Sequence, residues 1–277
     1  MKTLLALLLL AGVALAGEVK LEAKWTAADR SDVTEESLID AKAKATVKGA
    51  WGDPTGKTSG TGKFIERKSR EYAEEVVEVS EGHVKLTRTY SSSLKESLKP
   101  SGAKKTSERT ALFGRVITIV REGAAQGVTS DLGEVTGDDA GDATFVDQIY
   151  ALLPSGPVQV GKGWDVDPAA LGHAIFHEGY NPALMHLKGK AVLRDVSGKE
   201  GDRVARIALD WSLKLDKVEK SPGIEYRLTG VATFHVDRGR FLALEVEGPI
   251  SLDMSDGENR MELEGKMSLS YRGKPAK

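Results

Sequence analysis

The chain has 277 residues, no cysteine, and 39 basic side chains against 41 acidic ones, giving a formal net charge of −2. That balance excludes nucleic-acid binding through a broad basic face, because counterion release from phosphates needs concentrated Lys and Arg. The missing cysteine excludes disulfides and thiol chemistry, and a chain of this length buries enough surface to fold without such staples.

The chain opens with Lys2, the apolar run Leu4 to Val13, and alanines at 14 and 16. Small residues after a short apolar run are what a signal peptidase reads. The run is about ten residues, half of what spans a bilayer, so residues 1–16 are expected to be a cleaved signal peptide. Gly17 then offers no thiol for a lipid anchor. The expected product, 17–277, is exported, soluble, without a transmembrane segment, and periplasmic or extracellular. Its lack of cysteine points to a bacterial envelope.

Residues 17–135 carry faint strand signals. Val19, Leu21, Ala23 and Trp25 alternate with charged neighbours, as do Ala41, Ala43, Ala45 and Val47. Phe64 to Val79 is read as a strand, although Ile65, Tyr72, Val76 and Val79 would also line a helix face. Glu81-Gly82 turns it into a strand from His83 to Tyr90, and Arg115 to Arg121 forms another. Between them, Lys95, Lys99, Lys104, Lys105 and Arg109 lie in a Ser-rich stretch with Pro100 and Gly102, expected to be a solvated loop.

Two short helices are expected within 142–176. The first runs from Ala143 to Leu153, capped by Asp142 and ended by Pro154; the second is capped by Asp167 with Pro168 at its first position. Downstream, 187–272 reads as a five-strand antiparallel meander. Its clearest strand places Ala205, Ile207, Leu209, Trp211, Leu213 and Leu215 on one face. Ser221-Pro222-Gly223, Asp237-Arg238-Gly239 and Ser255-Asp256-Gly257 are turn signals. Gly230, Gly248 and Gly265 fall inside strands, where glycine permits either a bend or the close approach of a neighbour.

The motifs that bear chemistry are weak. Gly52 stands one residue too near Gly56-Lys57-Thr58 for a phosphate-cradling loop. Asp138, Asp139 and Asp142 have no EF-hand spacing, and an acidic helix start explains them. His173 and His177, four apart with Glu178 beside them, would share a helix face and suggest an exported hydrolase or metal-dependent enzyme. The order His-x-x-x-His-Glu matches no zinc-protease helix, and histidines in a last helical turn also satisfy free carbonyls. No catalytic residue, metal site or cofactor is therefore assigned.

Val158-x-Val160-Gly161-x-x-Trp164, the helix led by Asp167-Pro168, and the hairpin from Gly230 to Arg240 together resemble a family of uncharacterised exported bacterial β-rich proteins, a domain of unknown function. The resemblance implies an envelope-associated β fold and transfers no catalytic residue. In architecture alone, a long bent sheet with central helices is similar to periplasmic lipoprotein-carrier half barrels. The expected fold is α+β and β-dominated: one domain, with a strongly curved, half-barrel-like antiparallel sheet of about ten strands over which the two helices lie. The expected function is non-enzymatic. It is the binding of a hydrophobic small molecule or an envelope protein around Trp211, Tyr226, Phe234 and Leu244, with a structural or assembly role as an alternative.

Overall fold

The computed structural model describes residues 18–48, 57–99, 104–122, 125–135, 137–169, 171–172, 183–216, 223–255 and 259–276. The elements are β1 (Arg30–Lys48), β2 (Lys57–Ser80), β3 (His83–Leu98), β4 (Thr106–Arg109), β5 (Val116–Glu122), β6 (Ala125–Ser130), β7 (Gly133–Glu134), α1 (Gly137–Ile149), β8 (Gly163–Val166), β9 (Met185–Ser197), β10 (Val204–Leu215), β11 (Gly223–His235), β12 (Arg240–Ser255) and β13 (Arg260–Pro275). All thirteen strands join one antiparallel sheet, in the order β7-β6-β5-β3-β2-β1-β13-β12-β11-β10-β9-β8, with β4 paired to β3.

Two meanders make this sheet, one from each half of the chain. They are joined where β1 pairs with β13, from Ser31 opposite Pro275 to Thr46 opposite Arg260. Neither half carries a local signal for that pairing, which closes the longest sequence separation in the fold. Among the described residues the order of the sheet ends at two short strands, β7 and β8.

Side-chain alternation decides which face is packed. In β10 the odd residues Ala205 to Leu215 are buried, and in β11 the even residues Tyr226, Leu228, Ala232 and Phe234 join them. Residues on the other face of β10 to β13 are mostly polar, and they pair across strands, as Arg227 does with Asp210 at 2.6 Å. The same parity runs through β1 and β2, where Val33, Ala41 and Ala43 share a face with Tyr72 and Val76.

At three glycines the backbones meet. A Cβ on Gly248 would stand 1.8 Å from the Arg227 carbonyl oxygen, one on Gly230 1.9 Å from that of Glu245, and one on Gly265 2.3 Å from that of Asp40. Any side chain there would overlap the adjacent strand, so each of the three marks a close approach of neighbouring backbones.

Several expectations change. Val19 to Trp25 is not a strand; it makes one isolated bridge, Val19 with Val158. The Lys-rich stretch is only partly loop, because β3 continues through Leu98 and β4 folds back onto it from Thr106 to Arg109. One α-helix, not two, is delimited among the described residues. It starts six residues earlier than expected, so Asp142 lies inside α1 rather than capping it, and a 3-10 turn over Tyr150–Leu152 follows. At the second expected helix, Asp167 Oδ1 accepts the Ala169 N–H at 2.9 Å, and the chain beyond 172 up to 182 lies outside the described residues. No helix among the described residues is long and apolar enough to cross a membrane.

Candidate functional site

Two parts of the packed face carry more than an apolar core. The first is a cleft of about 770 Å³ at one end of the long strands, where β1, β2 and β10 to β13 contribute. Its floor is apolar because the inward positions there are Ala43, Leu215, Ile224, Leu252 and Leu263, all partly or fully buried. Its rim is charged because the alternate positions include Lys42, Lys44, Lys214, Glu225 and Glu264. A second hollow of about 790 Å³ adjoins it at Ala41, Gly62 and Gly265 and shares Lys42, Thr61 and Glu264 with it. Small inward residues make this second space: no side chain larger than alanine stands at those three positions.

One step further in along β11 and two along β10 lie Tyr226 and Trp211. Both are buried, and among the described residues the Tyr226 hydroxyl and Trp211 Nε1 have no hydrogen-bond partner. Burial alone pushes the Tyr226 phenol up from its ordinary value. Trp211 packs beside Gly189, whose missing side chain also makes room for Leu171 and Val166. The other two expected site residues are elsewhere. Phe234 is eight residues from Tyr226 along one strand, about 26 Å at strand rise, and pairs with Phe241 near the opposite end. Leu244 lies opposite Ala232 on that same side. The four residues share a face without forming one site.

At that opposite end an aromatic row runs from Trp25 to Tyr150, Phe241 and Phe234, with ring centroids 5.3, 5.2 and 5.1 Å apart. It fixes the 3-10 turn after α1 to the sheet. Trp164 donates its indole N–H to the Leu152 carbonyl of the same turn at 2.9 Å and is partly buried against the core.

The second feature is a buried ionic network that the sequence reading did not single out. Glu35 on β1 sits directly across from Arg70 on β2, at 3.0 Å, and accepts the Tyr72 hydroxyl at 2.6 Å. Glu74 receives Arg88 of β3 at 2.7 Å on one oxygen and Arg240 of β12 at 2.7 Å on the other. Asp142 of α1 is held by Arg70 at 2.9 Å and Lys68 at 3.1 Å, while Arg88 also donates to the Ala143 carbonyl. Burial raises the Glu35 carboxyl above its usual range despite Arg70 and the Tyr72 hydrogen bond. Burial also pushes on Asp142, but there Arg70 and Lys68 prevail and hold its carboxyl below the usual range. The available signal was parity: Glu35 is in phase with Val33, Arg70 and Glu74 with Tyr72 and Val76, and Arg88 with Leu86 and Tyr90.

His173, His177 and Glu178 lie outside the described residues, as does most of the near-miss phosphate loop from Trp51 to Gly56. His186 is exposed, 3.6 Å from Asp216. His235 is buried; its Nδ1 accepts the Arg238 N–H at 3.3 Å, so its Nε2 donates to Asp202 at 3.1 Å. Among the described residues no group of three or more His, Cys, Asp or Glu is placed to hold a metal ion. No protein-family model matches the chain, and no curated protein matches it.

Proposed function

We propose that the protein is a non-enzymatic, exported binding protein that takes up an apolar or amphipathic small molecule in the cleft at the strand ends. The observation that carries this reading is the cleft itself: about 770 Å³, within the range of small-molecule sites, with an apolar floor and a charged rim. Trp211 and Tyr226 continue the floor inward with donors that lack partners among the described residues. Export rests on the leader pattern of residues 1–16.

The reading includes a strongly curved sheet, and two observations support it. In a flat sheet a Cβ points away from the sheet plane, whereas Gly230, Gly248 and Gly265 point theirs into the adjacent backbone, as at a fold line. Arg121 on β5 and Arg240 on β12 both lie over the Trp25 ring, at 5.4 and 4.2 Å, although five inter-strand steps, about 24 Å, separate them along the sheet. A hollow on the concave side then follows from the small residues at the strand ends. The distant architectural similarity to lipoprotein-carrier half barrels agrees with such a shape, while the family resemblance stands as an expectation.

The test is extraction of the natively produced protein with organic solvent, followed by mass spectrometry. A stoichiometric apolar or amphipathic compound is expected, and its loss from a Leu252→Lys variant with unchanged circular dichroism. An empty extract from both proteins would remove the reading.

A further inference from the structure

The ladder between β12 and β13 stops short at one end. Its last pair is Ala243 opposite Arg272, yet β13 runs on against β1 as far as Pro275 opposite Ser31. Arg240 to Leu242 at the start of β12 and Gly273 to Pro275 at the end of β13 therefore lie beyond the ladder. Where strand pairing has ended, the Tyr271 hydroxyl donates across the gap to the Phe241 carbonyl at 3.4 Å. A hollow of about 280 Å³ opens there, lined by both strand ends, by Ala28 to Ser31 and by the turn that leads from His235 into β12.

Its lining is cationic. Arg30, Arg238 and Arg240 bring three guanidinium groups, and among the described residues of the lining Asp29 is the one carboxylate. Arg30 is already paired with Glu75 at 2.8 Å. Arg238 is exposed, and neither it nor Asp29 makes an ion pair among the described residues. The turn sets the place of Arg238, because its backbone N–H goes to Nδ1 of the buried His235 at 3.3 Å. Arg240 is fixed from two sides: its guanidinium lies 4.2 Å over the Trp25 ring and gives Nη2 to Glu74 at 2.7 Å. Its Nη1 is buried and has no hydrogen-bond partner among the described residues. A buried N–H of a charged group is costly to leave without an acceptor, and the hollow is a space that Arg240 borders.

We propose that this hollow is a binding site for a small oxyanion, a carboxylate or a phosphate, which accepts from Arg240 Nη1 and takes Arg238 as its second cation. A guanidinium held rigid by Trp25 and Glu74 suits such an acceptor, since little of its freedom is left to lose on binding. The volume admits the anionic group and little more. Asp29 weakens the site by its like charge. The site stands apart from the cleft: Leu242 of the hollow and Leu252 of the cleft floor are ten residues apart on β12, about 33 Å along the strand.

The experiment is an NMR titration of the full chain that follows the arginine Nε–H signals and the backbone N–H signals of His235 to Arg240. The probes are inorganic phosphate, acetate, dodecyl phosphate and neutral acetamide, at constant ionic strength. Saturable shifts at Arg238 and Arg240 with phosphate or acetate, and none with acetamide, are expected. An equal response to both phosphates identifies a free anion, and a much tighter response to dodecyl phosphate identifies an amphiphile headgroup. Arg238→Gln keeps the backbone N–H that holds the turn and is expected to weaken binding about tenfold. Asp29→Asn is expected to tighten it about threefold, because a like charge leaves the lining. Absence of saturable shifts at Arg240 with any of the anions, an equal response to acetamide, or unchanged affinity in both variants would overturn the proposal.

Discussion

A methyl group at Gly248 would stand 1.8 Å from the Arg227 carbonyl oxygen, and strand backbones locked in a ladder have no room to retreat. Gly248→Ala is therefore expected to cost about 3 kcal/mol in urea unfolding, as overpacking does. Gly60→Ala is the control, because a Cβ there meets nothing within 4 Å. It is expected to be neutral or to stabilise by about 0.5 kcal/mol through the unfolded chain. Arg88 provides the opposite kind of test. It is fully buried against Glu74 and the Ala143 carbonyl, so Arg88→Met leaves a buried carboxylate short of a cation and should lower stability by about 3–5 kcal/mol. These charged residues were hidden in the sequence for a physical reason: polar residues normally mark the solvated face, and nothing local shows that Glu35 and Arg70 will meet across two strands. The three strand glycines, in contrast, were visible by position. Their partners became visible only once the neighbouring backbone was in place.

Among the elements, the β11–β12 turn is clamped by a single carboxylate. Asp237 accepts the Arg203 backbone N–H at 2.7 Å and its guanidinium N–H at 3.0 Å, and these hydrogen bonds bring its carboxyl down to about 2. A carboxyl lowered on folding contributes stability above its unfolded value and loses it as pH falls toward the folded one. The wild type should therefore lose melting temperature between about pH 4 and pH 2, with a shallower loss in Asp237→Asn. Asp142 adds to the wild-type slope in the same direction. Glu35 works against it, because its raised carboxyl is relieved of a buried charge as pH falls. A melting series in which both proteins share one slope would exclude the clamp. Long alternating strands such as Ala205 to Leu215 were legible from periodicity alone. α1 was not legible in its bounds: Asp142 reads as the cap of a helix from Ala143, whereas the helix starts at Gly137 and holds Asp142 inside it, against Arg70 and Lys68.

For the molecule as a whole, the pairing of β1 with β13 turns two meanders into one sheet and brings Ala43 opposite Leu263. The cleft exists only because of that pairing: β1 and β2 supply one flank and β10 to β13 the other. Its apolar floor was foreseeable from surplus inward-facing residues, but its place was not, since Trp211 and Tyr226 lie near it while Phe234 and Leu244 lie at the far end. The most direct measurement is a fluorescence titration of the full chain with N-phenyl-1-naphthylamine, a neutral apolar probe. Saturable binding to one site is predicted, weakened at least about tenfold by Ala43→Trp or Leu252→Lys, since filling or charging the floor removes the apolar contact area. Failure to saturate, or unchanged affinity in both variants, would contradict the account.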